Sequence, residues 1–317
     1  MIMAVCQHEN CKRNGTTRTG AIRWRCKDCG ISWTESTRKL GGMRIGMDRA
    51  VQIIGMLCEG MSVRAACRLT NTDKQTVLDL LVMVGEQCEQ YMAHNIKAVR
   101  CDDIQVDEIW QYVYCKKATA KRNKIVGGVG DFYCFTAIER STKLLLTWHL
   151  GRRNEENTFK FARKLRHTTE GKFHLSSDGW SPYPAAMQHN LGGRVDYGMM
   201  IKIFKEGGAE DRRKYSPARI VQSKKIRILG LPEGHRICTS HCERMNGSIR
   251  TFCKRMGRLT YCFSKRVKNH RAALALMFCH YNYCRKHRSL KGETPAMAHG
   301  LENHVWTIRE MIENVGE

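Results

Sequence analysis

DDIQVDEIWQYVY, residues 102–114, reads as one long β-strand. Ile104, Val106, Glu108, Trp110 and Tyr112 fall on one face; Gln105, Asp107, Ile109, Gln111 and Val113 fall on the other. Asp107 therefore sits mid-strand, where aspartate is disfavoured. An acid kept in such a place points to function; the plainer alternative is a solvent-facing side chain on an exposed face. Its neighbours read differently. Asp103 shares its parity but lies ~13 Å away along the strand. Glu108 points to the opposite face and reads as a surface or supporting group.

Downstream, DFYCFTAIERSTKLLLTWHLG gives two β-rich runs around Glu139-Arg140-Ser141-Thr142, a hairpin signal. A helix follows over 154–167, capped by Asn154, with Phe159, Ala162 and Leu165 on its buried face. FHLSSDGW is a short strand ending at Asp178, and in open α/β sheets ligand-binding acids sit at strand ends. SPYPAAMQ opens another helix with proline at its start.

Strand with acid, hairpin, helix, strand ending in acid, helix: this order predicts an α/β, ribonuclease-H-like mixed sheet with flanking helices. That fold needs a third acid on a later helix. From Gly234 to Gly292 the chain carries 14 Lys and Arg and one acid, Glu243, so that carboxylate stands out. On a helix, Glu243, Asn246, Gly247 and Arg250 share a face, which would set Arg250 and Asn246 beside the acid to meet DNA phosphates. Lys254 extends the basic surface. Asp107, Asp178 and Glu243 together make a site for two Mg²⁺ ions, or Mn²⁺, because hard cations prefer carboxylate and phosphate oxygens. Two such ions suit in-line phosphoryl transfer. Asp196 lies between the second and third acids in no helix or strand-end context. Residues 263–287 read as a long helix, with Val267, Leu274, Phe278 and Tyr281 buried; His270 is a core histidine or a neighbour of the metals.

Toward the N-terminus, Cys6 and Cys11 and then Cys26 and Cys29 form two close pairs separated by 12–25. Cys-Lys-Asp-Cys-Gly is a strong knuckle, and four thiolates suit structural Zn²⁺. His8 is an alternative ligand. A zinc ribbon is expected over 1–40, with Arg23 and Arg25 available for phosphates. Residues 41–98 predict a helix broken at Gly60, a short helix over 63–69 capped by Ser62, a turn at Asn71-Thr72, and a third helix from Asp73. Short helix, turn, helix is the helix-turn-helix pattern. It places Lys74, Gln75 and Thr76 at the start of the reading helix. Residues 99–317 form the catalytic domain, with an inserted segment at about 192–240.

Composition agrees. The formal net charge is +24, which speaks of polyanionic partners rather than fold. The chain has 16 Cys and no export signal at its start, so reduced thiols and a cytoplasmic, nucleoid-associated protein are expected. No apolar run is long enough for a membrane helix.

At this point CDDIQVDEIW, LSSDGW, TSHCERMNGSIRTFCKRMGRLTYCFSKRVKNH and YNYCRKHRSLKGETPAMAHG resemble the DDE transposases of bacterial insertion sequences, specifically the insertion-sequence-one family. The resemblance covers nearly the whole chain. It implies Mg²⁺-dependent DNA strand cleavage and strand transfer, with Asp107, Asp178 and Glu243 as the acid triad. It also implies a basic residue seven positions after the glutamate, which Arg250 fits, and binding of terminal inverted repeats by the N-terminal region. Two DNA ends must be handled together, so at least a dimer is expected. Two features depart from the pattern. Thr239 and His241 stand where the family has tyrosine and arginine, and Glu243 follows Asp178 by 65 positions. The alternatives are a transposase-derived DNA-binding regulator without catalysis, and a ribonuclease-H-like nuclease.

Overall fold

The computed structural model describes residues 10–17, 22–34, 40, 42–204, 220–258 and 260–316. The chain begins with a small antiparallel sheet, β1 (Cys11–Thr16), β2 (Ile22–Cys26) and β3 (Ser32–Thr34). Three helices follow: α1 (Met47–Cys58), α2 (Val63–Thr70) and α3 (Lys74–Asn95). Gly60, at φ +77°, ends the first helical run. The Ser62 hydroxyl accepts from the Ala65 N–H to start α2, and Asn71 closes it in the left-handed region. Asp73 caps α3, accepting from the Gln75 N–H. α3 runs far beyond its first apolar turn because Val77, Leu80, Leu81, Val84, Cys88 and Met92 keep one face buried.

The remaining chain supplies β4 (Val99–Arg100), β5 (Asp103–Val113), α4 (Lys117–Arg122), β6 (Gly130–Glu139), β7 (Leu145–Gly151) and α5 (Glu155–Thr168). After these come β8 (Thr169–Glu170), β9 (Phe173–Ser177), α6 (Tyr183–Leu191), β10 (Val195–Phe204), β11 (Ile220–Leu229) and α7 (Ser240–Phe252). The chain closes with α8 (Val267–Cys279), α9 (Pro295–Ala298) and α10 (Ile308–Asn314). Six strands form a mixed sheet in the order β11-β10-β9-β5-β6-β7. β5 pairs in parallel with β9 and antiparallel with β6. α5 and α6 cover one face, and α7 packs on β5 and β6 from the other. This mixed α/β sheet with helices on its faces is compatible with a nuclease-like fold.

Three expectations are revised. The segment 192–240 is not an appendage, because β10 pairs in parallel with β9 inside the main sheet. Val195, Tyr197 and Met199 alternate into the core, and the Ile237 side chain packs so closely on Gly198 that an added Cβ would lie 2.4 Å from it. On α5 the aromatic ring in the core is Phe161; Phe159 is half-buried against His189. The helix expected over 263–287 starts at Val267, and after Cys279 it widens into a π-helical turn, His280–Cys284. Inside that turn the buried Asn282 side chain bonds both main-chain groups of Leu145, at 2.9 and 3.0 Å.

α3 packs on α8 through Gly85, whose Cβ position lies 2.4 Å from the Ala272 carbonyl. Consequently α1–α3 and the sheet share one continuous core. Among the described residues no helix is long and apolar enough to cross a membrane.

Candidate active site

β5 supplies the first acid. Its odd-numbered side chains face α7: the Gln105 amide oxygen accepts from the His241 N–H at 2.9 Å and the Cys242 N–H at 3.4 Å. The Asn246 amide donates to Asp107 Oδ2 at 2.8 Å. One strand thus pins the start of α7 and meets its next turn. Val106 is paired with Ser177, so Asp107 and Asp178 are the next residues on two parallel strands. β9 ends there, and its final acid turns out of the sheet as its carboxylate accepts from the Trp180 N–H at 3.2 Å.

Asp107, Glu108 and Asp178 each offer an oxygen, and these atoms lie within 4.8 Å of one another. They are the sole such trio among the described residues. The strand alternation of β5 holds: Glu108 does point to the opposite face from Asp107. It is nevertheless no surface group, since its side chain is 2% exposed. Beyond the end of β9 no strand separates the two faces, so Asp178 is approached from both. Arg153 Nε donates to Glu108 at 2.6 Å and the Tyr183 hydroxyl donates at 2.9 Å. The Arg153 guanidinium lies 4.1 Å from the Trp180 ring centroid and 3.8 Å from Asp178.

Glu243 sits on the first turn of α7, half exposed. It accepts from the Thr239 hydroxyl at 2.7 Å and pairs with Lys202 of β10. Its charge is felt by both Asp107 and Asp178. The electrostatics follow from burial and crowding. Burial pushes Asp107 up to about 8, and the Asp178 and Glu108 charges add to it. Burial, then Asp178, pushes Glu108 up to about 7 against Arg153. Asp178 is also raised, burial outweighing the Trp180 N–H and Arg153. At Glu243 burial acts upward, but the hydrogen bonds from Lys202 and Thr239 outweigh it and hold the carboxyl low.

Likeness to known proteins is distant. No family model matches the chain, and no curated protein matches it. Among solved structures, a piggyBac transposase synaptic complex with hairpin DNA is similar over 87% of this chain and 73% of that one, with 9% identity and a TM-score of 0.39. The reading of the site therefore rests on its own chemistry.

That chemistry fits a hard divalent cation. The donors are carboxylate oxygens alone, their mutual repulsion is unrelieved by protein cations at Asp107, and the buried Asn246 Oδ1 beside them has no hydrogen-bond partner.

Other expected site residues are placed as follows. Arg250 donates to the Met256 carbonyl at 2.8 Å and the Trp110 carbonyl at 3.4 Å, so it ties the end of α7 to β5 instead of standing clear beside Glu243. Asn246 orients Asp107. Lys254 is exposed just past α7, and Lys74 and Gln75 are exposed at the start of α3 with Thr76 half-buried. Arg23 and Arg25 are both exposed on β2. Cys11 lies opposite Cys26 in the β1–β2 register, and Cys29 follows in the turn that Gly30 closes at φ +72°. Burial first, then Cys26, raises the Cys11 thiol. Cys6 and His8 lie outside the described residues, so the Zn²⁺ site remains an expectation. His270 is a core histidine: it bonds Ser264 at 2.9 Å, and burial pushes it down to about 4. Asp103 belongs to a separate cluster with Arg140, Arg236 and His174.

Sequence reasoning missed Glu108, Arg153, Tyr183 and Lys202 as site members. For Glu108 the alternation rule gave the correct face, and of its two alternatives, surface or supporting group, burial removes the first. Nothing local marks Arg153 or Lys202, because each reaches the site across a strand or helix pair.

Proposed function

We propose that the chain is a transposase, a metal-dependent phosphoryl transferase that cuts and joins DNA at the ends of an insertion sequence. One observation carries this reading: oxygens of Asp107, Glu108 and Asp178 converge within 4.8 Å in a chain of net charge +24, and Glu243 stands on α7, the helix whose Asn246 holds Asp107. A polyanion does not approach such a cluster unless cations intervene, and the basic surroundings gain nothing from the acids otherwise.

Asp107 and Asp178 would hold divalent cations, with Glu243 as the third ligand once it leaves Lys202. Bound there, the cations supply an activated water or 3′-hydroxyl and stabilise the leaving oxygen. The protein's own groups do the rest. Asn246 fixes the Asp107 rotamer. Gln105 fixes the start of α7 and so the position of Glu243. Arg153 and the Tyr183 hydroxyl hold Glu108 on the face away from α7. Lys202, released from Glu243, becomes available to a phosphate. We further propose that β1–β3 is a zinc ribbon, that α2–α3 is a helix-turn-helix, that the sheet is of the ribonuclease-H type, and that a dimer joins two DNA ends.

The test uses purified protein, Mg²⁺ and a plasmid carrying the element's own ends. Nicking or strand transfer at those ends, lost in Glu243→Gln with DNA binding retained, is the expected outcome. Binding without cleavage in either protein would leave a DNA-binding regulator. Cleavage of RNA–DNA hybrids in preference to the ends would leave a nuclease.

A further inference from the structure

A groove of about 920 Å³ separates the α2–α3 region from the segment that follows α7. Its floor is apolar, with Leu57, Met61, Leu78 and Met277 among the lining residues. Its rim is basic. Arg64 and Lys74 stand on the helical side; Lys254, Lys265, Arg266 and Lys268 stand on the other. Among the described lining residues the one carboxylate is Asp79, already bonded by the Gln75 amide at 2.7 Å. Aromatic side chains line the same space. Tyr261 is 100% exposed, and Phe263 is half-buried against Tyr112 at 5.3 Å between centroids.

One wall is fixed to the strand that carries Asp107, the other to the end of α7. The Gln111 amide of β5 donates to the Arg255 carbonyl at 2.6 Å, and the Tyr114 N–H donates to the Ser264 carbonyl at 2.7 Å. On the other side the α1–α2 turn rests on the end of α7, where a Cβ at Gly60 would lie 2.7 Å from the Thr251 carbonyl. Phe252, at the end of α7, also lines the groove. From there α7 leads back to Glu243 over nine residues, ~13 Å at helical rise.

The geometry points to a binding site for single-stranded DNA, which enters the groove and is led along α7 to the acidic cluster. An apolar floor with aromatic rings and a cationic rim matches the needs of a single strand: bases stack inward and phosphates lie along the rim. Duplex DNA fits poorly, because it keeps its base faces stacked and presents phosphates on every side to a floor that cannot pair them. The preference for DNA over RNA rests on the function proposed above; the preference for a single strand rests on the groove alone.

The test measures binding of fluorescein-labelled oligothymidylate, about 15 nucleotides long, to the full chain by anisotropy in EDTA. Tyr261→Ala is expected to weaken it roughly 10-fold, the loss of one stacked base, with Tyr261→Phe near wild type. The double variant Arg64→Ala/Lys265→Ala is expected to weaken binding and flatten its salt dependence. A 5-iododeoxyuridine version should photocrosslink to the peptide containing Tyr261. Unchanged affinity in Tyr261→Ala with no crosslink there overturns the proposal, as does a stronger crosslink to the Tyr261 peptide from the equivalent duplex or RNA. Because EDTA removes catalysis, the outcome is independent of the active-site reading.

Discussion

Asp107 combines a buried mid-strand position with two neighbouring acids, and this sets a pH dependence. Its carboxyl is raised from the ordinary 3.8 to about 8, burial being the main cause. The folded protein then holds a proton that the unfolded chain has lost. Stability is fully present below about pH 4 and declines as pH rises toward 8. In EDTA, the melting temperature should fall between pH 5 and pH 8, and the fall should be smaller in Asp107→Asn, which removes the ionisable group. Mg²⁺ should raise the wild-type melting temperature more at pH 8 than at pH 5, since protons compete with the metal. Identical pH profiles for both proteins would show that this carboxyl is not raised. The same variant should lower end cleavage by about 10³-fold or more, as loss of a residue acting within a catalytic unit does.

At the scale of elements, the decisive contact is β5 on α7. Gln105 is fully buried, and its oxygen serves two N–H groups at the start of α7. Gln105→Leu removes the acceptor that both N–H groups share, at a cost of about 1–3 kcal/mol. It should slow single-turnover cleavage roughly 10–100-fold, since a small misplacement of a catalytic group costs that much. Gln105→Glu, which keeps an acceptor, should recover part of the rate. Equal losses in both would mean that packing, not the hydrogen bonds, sets the helix. Two glycines give a contrast in stability. Gly85 packs against the Ala272 main chain, so Gly85→Val should cost about 3 kcal/mol or more. Gly247 has nothing within 4 Å of a Cβ, so Gly247→Ala should be neutral or gain up to about 1 kcal/mol in helix propensity. Chemical denaturation of the two variants checks both signs.

Across the whole molecule, α1–α3 and the mixed sheet share one core, joined by α3 on α8 and by the ion pair of Arg271 with Glu89 at 2.5 Å. Unfolding of residues 47–95 and of the sheet should therefore coincide, whether followed by helix signal or by a fluorophore placed near the active site. Two separated transitions would show instead that the N-terminal helices fold as their own domain. The arrangement also explains why a strongly basic chain keeps an acidic centre. Its cations are spread along the chain, while Asp107, Glu108 and Asp178 converge, partly exposed, where β5 and the end of β9 meet.

The sequence alone determined several elements and the faces on which their acids sit. Strand alternation set Asp107 on the face that meets α7. The strand-to-turn signal in LSSDGW put Asp178 at a strand end, and helical spacing put Asn246 beside Glu243. These are local periodicities, and local periodicity states which side chains of one element share a face. Tertiary structure decided what no single element encodes. The end of β9 opened a path by which Glu108, on the opposite face, joined Asp107 and Asp178. Pairing of β10 brought Lys202 to Glu243 and turned an expected insertion into sheet. Arg250 donates to main-chain carbonyls of the loop after α7 and of β5, so it became a tie, and the basic residues around Lys254 became one wall of a groove. In each case two segments far apart in sequence meet, and the outcome depends on register and on where a strand stops. Those are set by the packing of the whole core rather than by the residues nearby.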